Sequence, residues 1–144
     1  MNYETWLEYI DILNKGQIDN KTLEILKNEE INSNINNLLL PKLEKLIKNR
    51  FEISISKIIN NLGEIFSDIN YLDLILVNFK KEINFILELI NLKQINPLKK
   101  EELTKILKEK TNKTYDILLE KALNIDSKGI FYQIIINNRF KWSD

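Results

Sequence analysis

The chain contains no cysteine and no histidine. Without thiols it can form no disulfide, no thiolate nucleophile and no zinc–thiolate site. Without imidazole, the Ser-His-Asp and Cys-His arrangements, the two-histidine zinc motifs, the Glu-x-x-His di-iron pattern and histidine pH switches are all excluded. Glycine occurs only at positions 16, 63 and 129, so neither a P-loop nor a GxGxxG phosphate turn can be written. Two prolines and three glycines are also few turn formers for 144 residues, which favours long helices over many short strands. Charge of one sign is missing as well: 21 basic residues balance 21 acidic ones, leaving no global field to steer the chain onto nucleic acid or an anionic membrane. No apolar run approaches the roughly 20 residues of a membrane span, and the N-terminal residues lack a basic region followed by an apolar stretch. The expectation is a cytoplasmic protein with no membrane partner.

What is present is apolar periodicity. Tyr3, Trp6, Leu7, Ile10 and Leu13 share one helical face, with Gly16 where a left-handed C-terminal cap is wanted, and Tyr9 and Ile12 fall off that stripe. Trp6 and Leu7 are expected to pack on the central helix. Asp19 or Asn20 can cap a second, short helix carrying Leu23, Ile25 and Leu26. Residues 28–37 are polar and Asn-rich, and Pro41 suits the first turn of the next helix, whose stripe runs from Leu43 to Leu62 and closes at Gly63. Within it, Phe51 to Ser56 alternates with period two, a strand pattern, but helical spacing continues on both sides.

The segment of about 68–92 is apolar over more than half its circumference, which predicts a central helix packed on at least two sides. Asn96-Pro97 is a cap followed by proline at the first helical position, and the polar run Lys108 to Thr114 is a candidate interruption of the helix that follows. Residues 130–142 are apolar and aromatic and read as a last helix rather than an extended tail. The predicted fold is all-α: one irregular helical bundle of five to seven helices around the segment 68–92, with residues 1–144 forming a single domain.

Carboxylates, lysines and tyrosines are the chemistry left. Glu29-Glu30, Asp68-Asp73 and Glu101-Glu102 could in principle share Mg²⁺, but acids near helix starts are stabilised there without a metal, so no metal site and no cofactor are expected. Lys42, Lys45, Lys48 and Arg50 lie along one helix with few acids nearby and are the candidates for phosphate contacts. Tyr3, Trp6 and Tyr9 open the chain, and Phe131, Tyr132, Phe140 and Trp142 close it with Arg139 among them; Trp, Tyr and Arg dominate binding hot spots, and Tyr9, Ile12, Arg139, Phe140 and Trp142 are the candidate partner-binding residues. Asn78 and Glu82 interrupt the wide apolar face of the central segment, which makes them candidates for a buried polar pair. The bias toward Ile, Asn and Lys matches the codons of an AT-rich genome. By subtraction, the expected function is a non-enzymatic protein-binding module, of the kind an inhibitor, an immunity or anti-defence factor or an accessory subunit of an AT-rich bacterium or its mobile element would use. Another protein is the expected partner and a homo-oligomer is compatible; nucleic-acid binding through the basic helix face is the alternative.

Overall fold

The computed structural model describes residues 1–126 and 129–143, and every regular element among them is an α-helix. In chain order these are α1 (Tyr3–Leu13), α2 (Asn20–Lys27), α3 (Ser33–Ile59), α4 (Leu62–Ile65), α5 (Ile69–Ile90), α6 (Pro97–Ile125) and α7 (Ile130–Asn138). The chain is an all-α helical bundle. Two compact units can be distinguished, a first of Met1–Glu52 with Asn84–Thr104 and a second of Ile53–Ile83 with Lys105–Asp144.

The first unit begins with capped helices. Asn2 accepts the Thr5 amide at 2.8 Å to start α1, and Gly16, with φ of 99°, supplies the left-handed turn after it. Asp19 accepts both the amide and the hydroxyl of Thr22, each at 2.9 Å; these bonds hold its carboxyl below the usual carboxylate range. α1 and α2 pack on each other, with Trp6, Leu13, Leu23 and Leu26 buried. Leu7 is only half-buried.

Helix α3 corrects one expectation. It starts at Ser33, where Asn32 accepts the Asn34 amide at 3.0 Å, so Pro41 lies inside the helix and not in its first turn. An internal proline leaves the carbonyl four residues back without its donor. Here Asn37 and Pro41 are both exposed, so water can serve that carbonyl while Leu39, Leu43, Leu46 and Ile47 hold the opposite face in the core. The period-two stretch 51–56 is helical, and Gly63 lies within α4 instead of closing α3.

In the second unit, Leu72, Leu76, Phe79 and Ile83 of α5 are buried, but the predicted wide apolar face is not continuous. Asp73, Leu74, Val77, Asn78 and Lys81 form an exposed side of the helix. Asn78 is therefore solvated and not part of a buried polar pair; Glu82 is half-buried and engaged. Helix α6 runs through the polar stretch 108–114 without a break, because Leu103, Leu107, Thr111, Thr114, Tyr115, Leu118 and Ala122 recur at helical spacing and are all buried. The Thr114 hydroxyl donates to the Lys110 carbonyl at 2.8 Å, one route by which a threonine can face inward on a helix. Residues 130–142 divide: α7 ends at Asn138, and an extended tail follows from Arg139.

Candidate functional site

Three regions bear on function, and the sequence anticipated two of them. The first is the basic face of α3. Lys42 and Lys45 are exposed as expected. Lys48 is exposed too, but its ammonium lies 3.1 Å from Glu44, whose carboxyl it holds below its ordinary value. Arg50 is a correction: only 4% of it is exposed. Its guanidinium donates to the Leu13 carbonyl at 2.5 Å and the Gly16 carbonyl at 3.3 Å, and sits 4.8 Å from the centroid of the Phe85 ring. The last carbonyls of a helix have no intrahelical donor, so Arg50 closes the end of α1 from another helix and is not available to a phosphate.

The second region is the C-terminal tail, within the second unit. Arg139 lies 3.3 Å from the Asp116 carboxylate, donates to the Asn112 carbonyl at 3.4 Å and stands 5.4 Å from the Tyr115 ring centroid. The Trp142 indole N–H donates to Asn112 Oδ1 at 3.3 Å, and the Phe140 and Trp142 rings meet edge to face at 4.7 Å. All three residues are half-buried, and Arg139 and Trp142 spend their polar groups on α6. The tail is thereby a strap over Tyr115, whose ring also meets Phe79 edge to face at 5.4 Å. Burial pushes the Tyr115 hydroxyl up to about 12, offset in part by the Phe140 backbone and the Arg139 charge, and the hydroxyl makes no full hydrogen bond. Of the other predicted partner-binding residues, Tyr9 is half-buried and Ile12 is exposed, on α1 in the first unit.

The third region was not anticipated. In the first unit a groove of about 560 Å³ lies between the start of α3 and the turn from α5 to α6. Its apolar lining is Ile31, Leu40, Ile95 and Pro97; its polar lining is Ser33, Asn36, Asn37, Gln94 and Asn96, with Lys93 and Lys100. The turn is fixed by Asn96, which accepts the Lys99 amide at 2.8 Å to open α6. Lys99 is bound by Glu102 at 3.1 Å and Glu44 at 3.6 Å, contacts that raise its pKa, the Glu102 hydrogen bond most. Its neighbours differ: among the described residues neither Lys93 nor Lys100 has a carboxylate partner, and Lys100 donates only to the Asn91 carbonyl, at 3.2 Å. Gln94 is 5% exposed, and among the described residues neither its amide oxygen nor its amide nitrogen has a hydrogen-bond partner. The one sequence signal for it was a polar amide between the apolar Leu92 and Ile95 in a short interhelical turn.

Among the described residues no three acidic side chains converge as metal ligands would. Three of the six acidic residues singled out in the sequence have other work: Glu29 pairs with the N-terminal amine at 3.3 Å, Asp68 accepts the Asn70 amide at 2.9 Å, and Glu102 holds Lys99. No helix among the described residues is long and apolar enough to cross a membrane. No protein-family model, no curated protein and no solved structure matches the chain.

Proposed function

We propose that this chain works by binding another protein, without chemistry of its own, through the groove of the first unit. The observation that carries the reading is the pairing of that groove with large aliphatic side chains at its edge. Ile31, which lines it, is 59% exposed, and Leu98, the residue after Pro97 in the first turn of α6, is 76% exposed. A scattered exposed leucine is ordinary; aliphatic residues beside a concave site with unspent polar groups match the apolar centre and polar rim of a recognition surface. Such a module suits an inhibitor, an immunity or anti-defence factor or an accessory subunit in the cytoplasm. A second copy of the chain is one form the partner can take.

A photo-crosslinking residue placed at Leu98, with Lys57 on α3 as the exposed control, tests this in the source cell. A protein adduct that forms at Leu98 and not at Lys57 is the expected result. Adducts to nucleic acid, or none at Leu98, would count against it. The nucleic-acid alternative now rests on Lys42 and Lys45, with Lys48 held by Glu44 and Arg50 in the core, and it requires affinity that falls linearly with the logarithm of salt concentration.

A further inference from the structure

We infer that the groove of the first unit takes an extended peptide segment bearing an acidic side chain, its backbone read by the Gln94 amide and its carboxylate by Lys93 and Lys100. This rests on the protein-binding reading and specifies the chemistry of the partner.

Two independent observations point to that ligand. The first is Gln94. A primary amide carries an acceptor and a donor side by side, which is the complement of the N–H and C=O of one extended residue. Burying such a group without partners is costly, and more than nine-tenths of native buried polar groups avoid it. Gln94 lines the groove, but its two amide atoms are closed off from solvent and without a partner among the described residues, so a turn of the side chain that brings them onto a ligand backbone removes a standing penalty. Asn36 and Asn37 add two further amides to the same wall, suited to the next peptide groups of an extended chain.

The second observation is charge. No acidic residue lines the groove, whereas Lys93 and Lys100 both do. Lys99, one position from Lys100, is neutralised by two carboxylates, Glu44 and Glu102, neither of which lines the groove. The positive end of the α6 dipole adds to the same sign. In the first turn of α6 Pro97 has no N–H, and Asn96 accepts the Lys99 amide through its side chain and the Lys100 amide through its carbonyl, so charge pairing falls to the side-chain ammoniums. Ile31, Leu40, Ile95 and Pro97 then receive the aliphatic neighbours of the acidic residue. The volume lies within the roughly 300–1,000 Å³ of ligand clefts, enough for a short segment.

The test uses the full chain and blocked peptides, N-acetylated and C-amidated, in three matched panels. One carries Asp or Glu between aliphatic residues, one carries Asn or Gln at those positions, and one carries Lys. Fluorescence anisotropy at low salt should show the best acidic peptides binding at least about tenfold more tightly than their amide counterparts, and the Lys panel not binding, as charge-assisted pairing requires. Lys93→Gln with Lys100→Gln should erase the difference between acidic and amide panels. Gln94→Leu, whose fold is checked by circular dichroism, should weaken both panels alike. Equal binding of acidic and amide panels would overturn the inference. So would a Gln94→Leu chain that binds normally, which would mean that water alone serves the amide, or competition by acetate or a small dicarboxylate as effective as by peptide. A protein crosslinked at Leu98 while the panels bind alike would overturn this inference and leave the broader reading standing. Acidic-panel selectivity with no protein crosslinked at Leu98 would support the groove chemistry and strike only at the broader reading.

Discussion

The turn from α5 to α6 in the first unit and the tail after α7 in the second invite comparison, because each combines basic groups with a buried polar atom that lacks a full hydrogen bond. In the tail, the residue types that dominate interfaces have found their partners inside the chain: Arg139 on Asn112 and Asp116, Trp142 on Asn112, Phe140 against Trp142. In the turn, the less conspicuous types are left over, with Lys93, Lys100 and Gln94 surrounding open space. Residue type alone therefore misdirects the search for a binding surface. What marks the site is unspent valence.

The comparison can be broken or sharpened by four variants, taken from the largest expected effect downward. Trp6→Ala removes a buried aromatic, 2% exposed, and should cost about 3–5 kcal/mol in denaturant unfolding, which sets the scale of the core. Arg50→Met strips the donors from the Leu13 and Gly16 carbonyls and should cost about 2–4 kcal/mol; a loss under about 0.5 kcal/mol would mean that this cation, too, is unspent.

Tyr115 gives a pH signature. Its unfolded hydroxyl titrates near 10 while the folded one holds its proton to about 12, so between those values the unfolded state binds fewer protons and stability falls as pH rises. The loss amounts to about 3 kcal/mol at most. Tyr115→Phe should remove that part of the alkaline slope while leaving neutral-pH stability within about 1 kcal/mol, since the hydroxyl has no full hydrogen bond to lose. Lys93→Gln with Lys100→Gln should change stability least, by under about 0.5 kcal/mol, because neither ammonium holds a carboxylate among the described residues.

Much of the fold was legible because helices write themselves in periodicity and caps. Asp19, Gly16, Asn96-Pro97 and the bounds of α5 follow from local chemistry, and the structure places them as expected. The misreadings share a cause: each turned on which side of a helix faces the rest of the chain. Pro41 reads as a helix start unless one knows that its helix face meets water. Thr111 and Thr114 read as a polar break unless one follows the steps of four and three residues from Leu103 through Leu107 to them. Arg50 reads as a surface cation because nothing local reveals the α1 carbonyls waiting for it. Asn78 was assigned to a buried face that in fact turns outward beside Leu74 and Val77. The groove was the least legible of all, since it depends on residues distant in sequence failing to neutralise Lys93 and Lys100.

The side-chain amide of Gln94 offers the most direct measurement. Its two N–H resonances, followed by nuclear magnetic resonance as an acidic blocked peptide is added, should shift together with the backbone amides of residues 93–96 and 98–100, while the Trp142 indole N–H stays still. If the peptide instead moves the Trp142 indole and leaves Gln94 unchanged, the binding surface is the tail and the account of the two regions is reversed.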